Sequence, residues 1–321
     1  MVANWNSSRR RPSAETSKPV PVVPPLSSDR PARRNRRPPA ALNEPAALFN
    51  DPRPPALHYA GSFVKPLAQD QPAVAPQRHS YWPALPPPVR VPLTQLSPHP
   101  CAYLPERHAR DRAFLADTLP PELYHAFMDR GFRRSGKVIY QPTCRGCRAC
   151  VPVRVRVVDF VPSRSMRRCL RRNRDLTVAE GPLAADDEKF ELYCRYQRAR
   201  HGEAGHLDWT SFVDFLYDSP VETREFTYRD AAGRLLAVGI CDICEESLSS
   251  VYFYYDPEEQ RRGLGTFGVL TEIDVCRRAG IPHYYLGFWV DGCAAMAYKI
   301  NFGPNDLLGG DGVWRSRLEG L

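Results

Sequence analysis

Residues 248–278 constrain this chain's fold more than any other stretch. Residues 248–255 are rich in β-branched and aromatic side chains and read as a strand. QRRGLG follows at 260–265. From Thr266 to about Arg278 the pattern is helical, with Phe267, Leu270, Ile273 and Val275 as core candidates. Gly263 and Gly265 let backbone N–H groups approach an anion at the helix N-terminus, where the helix dipole also favours negative charge. A tight turn that packs a helix onto a sheet is the plainer alternative.

Strands are expected at 225–229 and 235–241, separated by a turn at 231–233. A further strand at 282–288 and a helix at 294–300 close the chain. Upstream, Pro120 opens a helix with Leu123, Phe127 and Met128 on its apolar face and Gly131 as its stop. A short strand at 138–140 and an alternating strand at 151–158 follow. Ser163 caps a helix over 164–174. Asp186 or Asp187 starts another, with Phe190, Tyr193, Cys194 and Gln197 at helical spacing, and 209–217 is a third. The class is α+β: a mixed sheet with packed helices, the C-terminal domain at 181–321 preceded by a smaller Cys-containing domain at 91–180.

Residues 1–90 differ. Of the 33 prolines, 22 precede residue 101, and arginine clusters occur at 9–11, 33–34 and 36–37. Dense proline and like charge oppose a packed core, so this stretch is expected to be disordered. It is either a dispensable tail or a basic arm with weak affinity for RNA. The net charge of +8 is compatible with a polyanionic partner. The chain has no apolar N-terminal leader run, and its most apolar stretch, 235–244, is too short for a bilayer and carries Asp242. A cytoplasmic protein with no membrane association is expected, its ten cysteines free or ligating metal rather than paired.

Cys144, Cys147 and Cys150 fall within QPTCRGCRAC (141–150). With Cys101 as a distant fourth, or His108 in its place, they suit a tetrahedral site for zinc or an iron–sulfur cluster. Arg145 and Arg148 would favour thiolates there. Reduced structural cysteines are the alternative. Cys241 and Cys244 are read as core.

Arg164, Arg167, Arg168, Arg171, Arg172 and Arg174 place six arginines in eleven residues without acidic partners. Such a stripe suits phosphate contacts, or else is a solvated face. Arg133 and Arg134, with Arg154 and Arg156, lie near the cysteines and could form a pocket for a small acidic group, because arginine forks bind carboxylates bidentately.

The QRRGLG spacing resembles the Q/R-x-x-G-x-G/A loop of the GNAT acyltransferases. Several longer runs resemble the bacterial aspartate/glutamate leucyltransferases, relatives of the eukaryotic arginyl-tRNA–protein transferases. These are CAYLP from Cys101, GFRRSG (131–136), CRACVPVRV, FVPSRSMRR, YFYYDP (252–257), GLGTFGVL (263–270), YYLGFWV (284–290) and CAAMAYKINFGP (293–304). The resemblance covers roughly 93–314. It implies a GNAT-like C-terminal half and transfer of an amino acid from an aminoacyl-tRNA to the α-amine of a protein beginning with Asp or Glu, a step of the N-degron pathway. Leucine is the donated residue in most bacterial members, arginine in others.

Under that resemblance, Asp256 would accept the amine proton, and Tyr298 or Lys299 would assist the leaving ribose hydroxyl. Arg133, Arg134 or Arg154 would clamp the acceptor's acidic side chain. The tRNA would lie on Arg164, Arg167, Arg168 and Arg171 and on the amides at Gly263 and Gly265. No cofactor is required. The eukaryotic relatives have a Cys-x-x-Cys where this chain has Cys101-Ala-Tyr-Leu104, and adjacent cysteines near the position of Cys147, so zinc or an iron–sulfur cluster on Cys101, Cys144, Cys147 and Cys150 stays an open alternative. An acetyl-CoA N-acetyltransferase and a non-catalytic zinc/RNA-binding module are the rival readings.

Overall fold

The computed structural model describes residues 90–201 and 207–317. The expectation for residues 1–90 therefore falls, but for Arg90, outside the described residues. Short strands β1 (Thr94–Gln95), β2 (His99–Pro100) and β3 (His108–Ala109) precede β4 (Asp111–Leu115), helix α1 (Pro121–Asp129), β5 (Arg133–Ser135) and β6 (Val138–Pro142). Then come β7 (Cys150–Arg156), α2 (Arg164–Arg172), β8 (Thr177–Pro182), α3 (Asp187–His201) and α4 (Trp209–Leu216). The chain continues through β9 (Thr223–Arg229), β10 (Leu235–Ile243) and β11 (Ser247–Tyr255). A 3₁₀ turn (Pro257–Arg262) leads into α5 (Leu264–Ala279), β12 (His283–Val290) and α6 (Ala294–Ala297). A second 3₁₀ turn (Tyr298–Asn301) precedes β13 (Asn305–Leu308) and β14 (Trp314–Ser316).

The expected mixed sheet is present. Eight strands run in the order β14-β13-β7-β12-β11-β10-β9-β8. All neighbours are antiparallel except β11 and β12. Strand β7, from the Cys-containing segment, is an interior strand of this sheet, between β12 and β13. A smaller sheet has the order β1-β4-β6-β5.

Hydrophobic periodicity explains the layers. Strand β10 is buried along all but its last residue and reads LLAVGICDI, as a central strand covered on both faces must. Leu236 and Cys241 pack with Phe267, Leu270 and Ile273 of α5 and with Met166, Cys169 and Leu170 of α2. Leu235, Val238 and Ile240 pack with Leu192 and Tyr193 of α3 and Phe212 and Leu216 of α4. A third cluster joins Tyr124 and Met128 of α1 to Ile139, Cys244 and Tyr285. Cys241 and Cys244 are thus both core residues, on different sides of the sheet.

Local signals set most ends. Ser163 Oγ accepts from Met166 N at 3.3 Å and caps α2. That helix stops two residues early because Asn173 caps its C-terminus, its Nδ2 donating to Cys169 O at 3.0 Å. The helix expected over 294–300 is instead a four-residue helix followed by a 3₁₀ turn. Its run CAAMAYK offers one buried side chain, Lys299, and too little buried apolar surface to hold a longer helix.

Candidate active site

The site begins where two parallel strands part. Strands β11 and β12 pair only at Ser247↔His283, Leu248↔Tyr284 and Ser249↔Tyr285. Both then continue, β11 to Tyr255 and β12 to Val290, without pairing to each other. Ser250, Val251, Tyr252 and Phe253 are consequently only half-buried although β11 is interior to the sheet. A split of this kind exposes backbone amides and strand edges that a continuous ladder would consume.

Helix α5 starts at the open end of the split. Gly263 has φ +68, in the left-handed region, and serves as both the C-cap of the 3₁₀ turn and the N-cap of α5. Gly265 meets nothing nearer than Tyr255 Cε1, 4.0 Å from an added Cβ. Tyr298 is 43% exposed. Its phenol is pushed up to about 12 by desolvation first, then by Glu272 and Tyr196, with Arg200 acting the other way. Tyr196 and Arg200 of α3 hydrogen-bond to each other near Tyr255. Beneath lies Glu272, 1% exposed, whose Oε2 accepts from Tyr284. Burial pushes its carboxyl up to about 7, and Ser250, where the strands part, lies within hydrogen-bonding reach.

The glycine loop and the arginine helix, read separately from the sequence, are one structure. Arg172 donates to Arg261 O, Asn173 Nδ2 to Arg262 O at 2.9 Å, and Cys169 Sγ to Gly263 O at 3.4 Å. Arg262 forks onto Asp175 at 3.0 and 2.9 Å. Arg171, Arg172, Arg174, Asp175, Arg261 and Arg262 line a shallow depression there. Arg164, Arg168, Arg171, Arg172 and Arg174 are exposed, and among the described residues none of them has a carboxylate within salt-bridge distance. Arg167 is half-buried and donates to Pro162 O at 2.5 Å.

Asp256 is placed differently from an open base. It is 2% exposed, its Oδ1 accepts from Glu258 N at 3.0 Å, and Arg195 and Arg234 each lie 3.5 Å from Oδ2. It caps the turn that carries the loop.

The three candidate clamp arginines diverge. Arg134, its side chain 0% exposed, forks onto Asp242, with Nε donating at 2.7 Å and Nη2 at 2.6 Å. Arg154 lies between Asp129 at 3.0 Å and Asp306 at 3.3 Å, stacked 4.5 Å over Trp314. Arg156 also reaches Asp306, at 3.8 Å. Arg133 alone has no carboxylate partner among the described residues. It is 5% exposed and donates to Phe132 O at 2.6 Å, Met128 O at 3.4 Å and Gly287 O at 3.5 Å. Its Nε is unpartnered, and its guanidinium lies 5.3 and 5.5 Å from the Tyr285 and Phe288 ring centres.

Lys299 joins Arg133, not Tyr298. It is 9% exposed, and its Nζ lies 3.4 Å from where a Cβ on Gly287 would be. Burial lowers its ammonium to about 8, Arg133 adds to the lowering, and the nearby Cys293 and Cys150 oppose it.

Cys101, Cys144, Cys147 and Cys150 are half-buried and free. Leu104 N donates to Cys101 Sγ and Arg110 N to Cys144 Sγ, each at 3.4 Å. Burial pushes the Cys150 thiol up to about 12, with the other three cysteines adding to the shift. Among the described residues no group of three or more His, Cys, Asp or Glu is arranged to hold a metal ion. The donors as placed do not fit a zinc or iron–sulfur site, and no chemistry is derived through one.

The sequence reading did not single out Glu272, Tyr196, Arg200 or the neutralising acids Asp242, Asp129 and Asp306. Two of these leave a signal: Glu272 interrupts the apolar face of α5, and Asp242 ends an otherwise apolar strand.

Comparison with known proteins identifies the family. The family description "Arginine-tRNA-protein transferase, N terminus" matches residues 99–168, and "Arginine-tRNA-protein transferase, C terminus" matches 188–309. A curated relative from Parvibaculum lavamentivorans, named aspartate/glutamate leucyltransferase, is 42% identical over 224 residues, covering 68% of this chain and 92% of that protein. Relatives of the same name from Stenotrophomonas maltophilia (42% over 226 residues, 68% and 90% covered) and Teredinibacter turnerae (40% over 215 residues, 66% and 88%) are similar. Among solved structures, FemX overlaps with a TM-score of 0.40 at 11% identity, over 62% of this chain and 82% of that one. Two matched halves in order, together with relatives covered nearly end to end, make the chain a member of the arginine-tRNA–protein transferase family, similar throughout its matched length to the aspartate/glutamate leucyltransferases.

Proposed function

We propose that this protein transfers leucine from Leu-tRNA to the N-terminal α-amine of proteins beginning with Asp or Glu. One observation carries the reading beyond the family likeness: α2, which bears the exposed arginines, is tied to the glycine loop that follows β11 through Arg172 and its C-cap Asn173. A cationic face leading to an N-terminal helix end and an opened sheet suits an RNA 3′ end delivering an ester.

The chemistry is ester aminolysis. The acceptor's neutral α-amine attacks the leucyl carbonyl carbon, a C–N bond forms, and the bond to the ribose oxygen breaks. The amine's proton ends on that oxygen. An α-amine has a reference pKa of about 7.7–8.0, so much of it is neutral near pH 7.5 and positioning can supply a large share of the rate. Edge amides of β11 past Ser249 face the split without a ladder partner, which suits the developing oxyanion. Tyr298 at the mouth is the group we assign to the leaving oxygen. We assign Asp256 to holding the loop, because its oxygens are already bonded.

Tyr196, Phe253, Tyr255 and Tyr298 suit an apolar donor side chain, and Arg200 beside them disfavours a cationic one. Leucine is therefore preferred over arginine. No cofactor enters the reaction as proposed. No helix among the described residues is long and apolar enough to cross a membrane. The test is transfer from Leu-tRNA and Arg-tRNA in parallel to peptides starting with Asp, Glu and Ala. Label from Leu-tRNA should appear on the Asp and Glu peptides; equal labelling of the Ala peptide, or none on any, refutes the proposal.

A further inference from the structure

Two buried cations that no carboxylate bonds among the described residues, Asp129 acting on Arg133 only from a distance, need an explanation. An isolated charge in a protein interior is costly unless it is paired. Arg134 and Arg154 obey that rule through Asp242, Asp129 and Asp306. Arg133 and Lys299 do not. Both meet at Gly287, Arg133 through the carbonyl and Lys299 at the space where a side chain would stand. Gly287 follows a register shift in the β12–β7 ladder, with φ +81. An extra residue there turns its carbonyl out of the ladder, as bulges beside functional sites do. Besides Arg133, the groups facing Lys299 are the thiols of Cys150 and Cys293, and neither is a carboxylate. Ala294, Ala295 and Ala297, on the short helix that leads into Lys299, are exposed and small.

From this geometry we infer that Arg133 and Lys299 form one anion pocket, which receives the side-chain carboxylate of the acceptor's first residue, and that Lys299 is a specificity residue rather than a proton donor to the leaving group. The inference rests on the transferase reading above. It also places the two substrates. Tyr298 and Lys299 are consecutive on one 3₁₀ turn, where successive side chains diverge by roughly 120°. Tyr298 faces the donor's split and Lys299 the acceptor's pocket, so the α-amine of a residue held at Lys299 lies next to the ester. A carboxylate needs both cations, whereas the isosteric amide of Asn gains little from either.

The experiment uses the full chain, Leu-tRNA, and peptides beginning with Asp, Asn, Glu or Gln, with Lys299→Met and Lys299→Arg. The wild type should favour Asp over Asn by at least about 30-fold in kcat/KM, the size expected when one partner of a buried charged pair is lost. Lys299→Met should reduce that ratio to about threefold or less. Its loss of rate should be several-fold smaller on the Asn peptide than on the Asp peptide, and its affinity for Leu-tRNA should stay within about twofold of wild type, because the pocket holds the acceptor and not the RNA. Lys299→Arg, which keeps the charge, should restore part of the preference. Equal losses on Asp and Asn peptides, or an intact Asp preference in Lys299→Met, overturn the pocket. Direct binding of a fluorescent Asp peptide without tRNA separates the two readings. If the wild type transfers leucine to nothing yet binds Asp over Asn through Lys299, the transferase reading fails and the pocket stands. If it shows no such preference in binding or in transfer, the pocket falls.

Discussion

Arg133 and Arg134 are neighbours on β5, each 5% exposed, yet only Arg134 is met by a carboxylate, that of Asp242 at 2.6 Å. Alternation along a strand sends the two side chains to opposite faces, one into a network neutralised by Asp242 and one toward Gly287, where Lys299 also lies. Arg134→Met should therefore destabilise the protein by about 3–5 kcal/mol in urea unfolding, since it strands the Asp242 charge in the interior. Arg133→Met strands no charge and should cost far less. The same measurement on both variants checks the contrast.

The arginine face should act through charge alone. Arg168 and Arg171 are exposed and unpaired among the described residues. Changing both to Glu should weaken tRNA binding and flatten the slope of log affinity against log salt by about two units or more. Stability should stay within about 0.5 kcal/mol, as for ordinary surface substitutions. Binding titrations at several salt concentrations decide it.

Acceptor recognition should fall in alkaline solution. The Lys299 ammonium is lowered to about 8 by burial and by Arg133, so it is charged below that pH and increasingly neutral above it. Affinity for an Asp peptide should be greatest near pH 7 and decline through pH 8–9, and Lys299→Met should lack that decline. Cys150 and Cys293 also face the group; Cys150, pushed up to about 12, does not titrate in this window, and Cys293→Ser should preserve the profile. The acceptor's own amine titrates equally in both proteins, so the difference between them isolates Lys299.

Glu272 should cost stability at neutral and higher pH. Its folded-state carboxyl titrates at about 7 because of burial, above its ordinary 4.5. Between those values the folded protein holds a proton that the unfolded chain has released, so stability falls as pH rises from 4.5 to 7. Glu272→Gln removes that dependence. It should be more stable than wild type at pH 8 by about 3 kcal/mol, an amount that shrinks toward zero near pH 4.5. Thermal unfolding of both proteins across that range measures it.

Motifs with local causes were legible in the chain. The cap at Ser163, the glycine at 263, the apolar alternation of β7 and the helix of α5 follow from neighbours a few residues away, and the structure holds them close to where the pattern put them. Strands β13 and β14 were not legible, because short strands carry little periodic signal and exist through pairing, β13 with β7 and β14 with β13.

The sequence alone pointed to an α+β protein with a glycine loop, a run of six arginines over 164–174 and four more at 133, 134, 154 and 156 near the cysteines. Only the tertiary structure decided which arginine keeps its charge available. A carboxylate 108 residues away neutralises Arg134, two from distant strands and helices hold Arg154, and a lysine 166 residues away joins Arg133. Pairing in a low-dielectric interior depends on distance in space, and spacing along the chain carries no information about it.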